Sequence, residues 1–298
     1  ISVYVRNGVE GASCYYRFIQ YSKELEFDFK INNAVTTNMY RRNLDFKNTR
    51  IKFLFNLKYY LHILIRVSYF LIRDLLNNPS YIIVQRTTIP RYTPYFILLL
   101  LRRIITKSTL YWDFDDDIFL NSEISKKQAS LLLEYSSRII VTNSQLKSRI
   151  PTKYYDKVII LPTTDGDFRN TKISDINSKR KLSFQNEIRM VWVATSSNIP
   201  NILSIISSLD IAAKRVKSEY NKNLILNIVC NKEVVFKTNH LIIRNITWTR
   251  EAAKSHIITS HIGIMPLIYS QYALGKGGFK LVQYLSTGMP VIASSVGF

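Results

Sequence analysis

Glycine is scarce: the 298 residues contain nine, and none lies between Gly11 and Gly166. That excludes collagen-like and glycine-rich linker architectures, and it marks each glycine as a place where a side chain would be in the way. Cysteine is scarcer. Cys14 and Cys230 stand far apart and in no metal-binding spacing, which excludes a disulfide framework and predicts two free thiols in a reducing cytoplasm. Acidic residues number 21 against 41 basic ones, a net charge of +20, so the expected partner is anionic: nucleotide, nucleic acid or inner membrane leaflet. Long unbroken apolar runs are missing too. The richest, residues 51–76, is interrupted by Lys58, Arg66 and Arg73, which excludes a spanning helix and predicts an amphipathic, basic one. The four histidines (His62, His240, His256, His261) have neither metal spacing nor a Ser or Cys partner pattern, so neither a metal site nor a catalytic triad is expected. Fixed-period repeats and a signal peptide are not visible. The chain opens on Ile and stops inside a motif at Phe298, which predicts a fragment lacking its C-terminal end.

What is present is globular: 47% hydrophobic and 21% charged residues, in a length that suits two ordinary domains. ISVYVR reads as a strand, NGVEGAS as a loop and CYYRFIQYSKEL as a helix, the opening of a Rossmann-like domain. NNAVTT, SYIIVQ, STLYWDF, SSRIIV and KVIILP continue the strands. The polar, aperiodic segment 170–187 reads as a linker, after which IRMVWV, LILNIVC, LIIRNITW and HIGIMPL restart the pattern. The expected domains are residues 1–169 and 188–298, joined by 170–187.

Six of the nine glycines fall within residues 263–297, GIMPLIYSQYALGKGGFKLVQYLSTGMPVIASSVG. This parses as a strand ended by Pro266, a glycine loop, a helix from Gly278, a C-terminal Gly288 and another strand. Such a loop lets backbone N–H groups approach an anion, usually phosphate, with Lys276 and Lys280 adding charge. In this reading Gly278, Leu281, Val282 and Leu285 form the apolar face of the helix. Lys280, Gln283, Tyr284 and Thr287 form a polar face free to line a site.

GIMPL followed by GKGGFKLVQYLSTGMPVIASSVG resembles the donor-binding segment of GT-B glycosyltransferases, in the large retaining family that builds bacterial surface polysaccharides. The resemblance implies two Rossmann-like domains facing each other across a cleft and a nucleotide-sugar co-substrate with no other cofactor. It also implies a glycan or lipid-linked acceptor, retention of configuration and no metal. The family's two motif glutamates are replaced here by Gly275 and Gln283. An amide can still bond a ribose diol, without charge assistance. By resemblance the donor residues are Gly275, Lys276, Gly277, Gly278, Phe279, Lys280 and Gln283, with Trp248 near the base. Thr195, Ser196, Ser197 and Asn198 offer hydroxyl and backbone donors at the same sheet edge. Gly11, Ala12 and Arg17, and Arg86 at the end of a strand, are the expected acceptor- and phosphate-side groups of the first domain.

The run Asp113, Asp115, Asp116, Asp117 ends a strand, where α/β sheets keep their chemistry. Asp-x-Asp there suits a Mg²⁺-dependent phosphatase built on Asp113 and Asp115, or the metal clamp of a GT-A transferase. A similar FDDD run also stands at this point of the GT-B subgroup, and that reading agrees with both ends of the chain. Asp115 and Asp116 are then candidate catalytic residues with Lys280. Asp117 or Asn121 would otherwise cap the following helix. The expectation is a cytoplasmic glycosyltransferase that touches the inner membrane leaflet and binds no nucleic acid. A phosphatase and a non-enzymatic nucleic-acid- or membrane-binding protein are the alternatives.

Overall fold

A computed structural model describes residues 1–8, 11–22, 28–45, 51–120 and 122–297. Val9 and Glu10 of the first loop, the end of the first helix beyond Ser22, and Asn121 lie outside the described residues. The chain is α/β and divides into two compact units, Ile1–Thr163 with Gly275–Gly277, and Thr164–Leu274 with Gly278–Phe298.

The first unit is a six-stranded sheet of order β2-β1-β3-β4-β5-β6, with every pairing parallel. Its strands are β1 (Ser2–Val5), β2 (Lys30–Asn33), β3 (Tyr81–Gln85), β4 (Thr109–Phe114), β5 (Ser136–Val141) and β6 (Val158–Ile160). Val3, Ile82, Val84, Leu110, Trp112 and Ile139 are fully buried, as strands covered on both faces require. The second unit is a five-stranded parallel sheet of order β11-β10-β7-β8-β9. Its strands are β7 (Glu187–Val193), β8 (Asn223–Cys230), β9 (Ile242–Thr247), β10 (Ile262–Met265) and β11 (Val291–Ala293). In each sheet the strand order reverses beside the first strand of the unit, the arrangement of Rossmann-like domains.

Three expectations differ from the structure. The second strand begins at Lys30, ahead of NNAVTT, and a helix, Thr37–Asp45, starts where that segment was to end. The N–H groups of Ala34 and Val35 still follow β1, donating to the carbonyls of Val5 and Arg6 at 2.9 Å each. The segment read as a linker contains a helix, Ile173–Phe184, within the second unit. It lacks an apolar stripe because Ile176 and Arg180 are its buried residues. The Arg180 guanidinium reaches the Thr287 carbonyl (2.8 Å), the Thr287 hydroxyl (2.9 Å) and the Ile257 carbonyl (3.2 Å). The division into units accordingly falls between Thr163 and Thr164, ahead of that segment.

The third difference concerns the helix Phe279–Leu285. Gln283, Tyr284 and Thr287 are buried, whereas Leu285 is exposed, so the face read as polar and free is the packed one. Tyr284 explains the inversion. Its ring lies against Gly263 of β10, where a Cβ would overlap it, and its hydroxyl accepts from the Val193 N–H at 3.2 Å. Cys14 and Cys230 are both buried free thiols.

Candidate functional site

Parallel sheets gather their loops at the C-terminal ends of the strands, and each unit has a polar cluster there. In the first unit, Gly8 follows β1 at φ 54° with the Asn33 side chain where its Cβ would go, and the Gly11 N–H returns to the Gly8 carbonyl at 3.2 Å. Ala12 then starts the helical stretch that carries Arg17.

Arg17 faces the end of β4. Its Nε donates to both oxygens of Asp113 (2.9 and 2.7 Å), and its Nη1 donates to the Thr163 hydroxyl (2.9 Å) and the Leu161 carbonyl (3.2 Å). Arg86 follows β3 in the left-handed region at φ 59°, which turns its side chain across the acidic run. It reaches Asp115 Oδ1 (Nε, 2.9 Å), Asp116 Oδ2 (Nη2, 2.5 Å) and the Ser13 hydroxyl (Nη2, 3.0 Å). Asp117 pairs with Arg149 at 2.7 Å and accepts from the N–H groups of Phe119 (3.2 Å) and Leu120 (3.1 Å). The cap of the following helix, Lys126–Tyr135, is Ser125 rather than Asp117.

Each of the four aspartates is thus matched to an arginine. Burial alone would raise the Asp115 carboxyl, but Arg86, the Ser13 hydroxyl and Arg17 hold it below the ordinary carboxylate range. That arrangement disfavours the phosphatase reading, because both oxygens of Asp113 are spent on Arg17. Among the described residues no group of three or more His, Cys, Asp or Glu side chains could hold a metal.

Gly275–Gly277 also cluster with this unit. The Asn143 amide, which caps the short helix after β5 by accepting from the Leu146 N–H (2.8 Å), donates to the carbonyls of Gly275 and Lys276, each at 3.1 Å. A Cβ on Gly277 would lie 2.8 Å from the Thr142 hydroxyl oxygen, so glycine is needed there for close approach.

The second unit carries the remaining residues. Gly278 takes φ 65° to start the Phe279–Leu285 helix. The half-buried Lys280 donates from Nζ to Gln283 Oε1 at 3.0 Å. Beside them the turn after Thr164 brings two acids that sequence reasoning did not select, Asp165 and Asp167. Asp165 accepts the Asp167 N–H at 2.8 Å, and Asp167 pairs with Arg250 (Nε to Oδ1, 3.1 Å). Burial lifts the Asp165 carboxyl to about 6, and burial lowers Lys280 to about 8 against the pull of Asp165 and Asp167. The available signal was the acid pair of TDGDF directly after a strand end.

Ser196 and Ser197 form a short turn after β7. The Ser196 N–H donates to Asn231 Oδ1 at 2.8 Å, and the hydroxyls of Thr195 and Ser197 are 3.0 Å apart. Trp248 follows β9, half-buried against the apolar cluster that includes Ala253 and Ile257, with its backbone N–H donating to the Cys230 carbonyl at 3.0 Å.

The chain is similar to UDP-GlcNAc 2-epimerase from Methanocaldococcus jannaschii, with 10% identity, a TM-score of 0.53, and coverage of 98% of this chain and 83% of that one. It is also similar to UDP-GlcNAc 2-epimerase from Neisseria meningitidis bound to UDP-GlcNAc, with 14% identity, a TM-score of 0.50, and coverage of 98% and 82%. The chain has the GT-B fold. At these identities the GT-B likeness is one of architecture. No protein-family model matches the chain, and no curated protein matches it.

Proposed function

We propose that this GT-B chain is a glycosyltransferase that moves a sugar from a nucleotide-sugar donor to a glycan or lipid-linked acceptor in surface polysaccharide biosynthesis. In this reading the reaction retains configuration and uses no metal.

Lys280 is the observation that carries the proposal. An ammonium has three donors, and Gln283 takes one at 3.0 Å. Burial lowers its pKa only to about 8, so at neutral pH it stays an ammonium, and a bound diphosphate would gain a cation already held in place. The departing diphosphate is stabilised there, while buried Gln283 holds the ammonium in place instead of meeting the ribose, Ser196 and Ser197 supply hydroxyls, and Trp248 flanks the base. In the first unit Asp116 is the more exposed of the two aspartates that Arg86 holds, at 26% against 16% for Asp115. Asp116 therefore receives the acceptor hydroxyl, and Asp115 keeps Arg86 in place.

A panel of UDP-, GDP- and dTDP-sugars, read by thermal shift and by nucleotide release with and without acceptor glycans, tests this. Lys280→Ala is expected to weaken donor binding about tenfold or more, the loss of one charge-assisted hydrogen bond. Unchanged affinity would remove the diphosphate assignment. An epimerised sugar nucleotide formed without acceptor would replace transfer by epimerisation at the same site.

A further inference from the structure

The helix Lys52–Asn77 has two apolar faces. One, with Ile63, Val67, Phe70 and Leu71, is buried in the first unit. The other points to solvent. Leu54, Leu57, Leu61, Ile65, Ile72 and Leu76 recur at three-, four- and seven-residue spacing along it, and Ile65 and Leu76 are 68% and 77% exposed. The neighbouring helix Tyr95–Ile105 packs alongside and repeats the pattern: Tyr95, Phe96 and Leu99 are exposed, with Arg102 and Arg103 exposed in the last turn.

Charge is equally one-sided. Between residues 51 and 112 there are nine basic residues and a single acid, Asp74. Asp74 is buried and accepts from the Ser2 hydroxyl, the Tyr4 hydroxyl (2.7 Å) and Arg73, so it offers no negative charge outward. Lys58, Arg102 and Arg103 are exposed beside the apolar rows.

We infer that this double-helix face docks on the surface of an anionic lipid bilayer, apolar rows in the acyl boundary and basic side chains among the headgroups. Aliphatic and aromatic side chains framed by cations, with no acid exposed on either helix, are what an interfacial helix needs. No helix among the described residues is long and apolar enough to cross the membrane, so the contact lies in its plane. A second copy fits less well: a two-fold interface would set cations against cations. Nucleic acid would use the cations and leave the aliphatic rows wet. The inference deepens the membrane side of the transferase reading but needs no donor, so either can fail alone.

Flotation of the whole chain with vesicles, either phosphatidylcholine alone or equal parts phosphatidylcholine and phosphatidylglycerol, is the test, without nucleotide. The chain is expected to float with the anionic vesicles only. Arg102→Ala with Arg103→Ala should lower partitioning about fivefold for each charge removed. Leu61→Glu with Ile65→Glu should abolish flotation, and the milder Ile65→Ser with Ile72→Ser should reduce it, with far-UV dichroism unchanged in both. Absence of flotation overturns the inference. So does flotation that survives both stripe variants, or a lipid-free dimer by sedimentation that the stripe variants dissociate.

Discussion

The ring of Tyr284 fills the space that a side chain at Gly263 would occupy, which locks the Phe279–Leu285 helix onto β10. Gly263→Ala must therefore push the ring, and with it the turn of helix that bears Gln283. The expected loss is about 1–3 kcal/mol in urea denaturation, the usual penalty of overpacking. Tyr284→Phe, which gives up only the bond to the Val193 N–H, should lose about 1 kcal/mol.

Arg17 and Asp113 form a buried pair, with side chains 4% and 2% exposed. Arg17→Ala strands the carboxylate and is expected to cost about 3–5 kcal/mol, read from the denaturation midpoint. Arg17→Met combined with Asp113→Leu should recover much of that loss, because neither charge is then left alone.

Helix Ile173–Phe184 yields a prediction that separates a packed element from a tether. Arg180→Ala removes three hydrogen bonds to Thr287 and Ile257 and should cost about 2 kcal/mol or more. A tether would show no change in chemical denaturation.

Titration of Lys280 gives a signed dependence on pH. Folding lowers its pKa from 10.5 to about 8, so the unfolded chain holds the proton longer, and this residue's contribution to stability rises as pH climbs from about 8 to 10.5. Asp165 runs the other way: raised from 3.8 to about 6, its contribution is complete below 3.8 and is lost as pH rises through 6. Nucleoside diphosphate binding needs the ammonium and should weaken above about pH 8 by calorimetry, whereas Lys280→Arg should flatten that fall.

Most strands were legible as short apolar runs closed by a turn residue, as in YIIVQ before Arg86 and NLILNIVC before Asn231, whereas KINN has one apolar residue and was placed too late. Gly278 and Gly288 were legible from their places at a helix start and end, and both take positive φ. The Ile173–Phe184 helix was not, because it packs through one isoleucine and an arginine, and a buried guanidinium reads as surface in a hydropathy pattern. The same blindness reversed the faces of the Phe279–Leu285 helix: Gln283 and Thr287 look solvent-seeking until Lys280 and Arg180 are seen bonded to them. The acidic run was found, but its arginine partners come from positions 17, 86 and 149, separations that no local pattern encodes. Asp165 and Asp167 passed as turn residues, since an Asp-Gly-Asp turn is ordinary until one carboxyl is enclosed.

Asp74 fastens the long helix to the first strand through Ser2 and Tyr4, at that strand's opening and middle. A load on the outward row of this helix is therefore delivered mechanically to the strand that leads into Gly8. The exposed row of the long helix and the strand that ends at Val5 are thereby tied through one buried carboxylate.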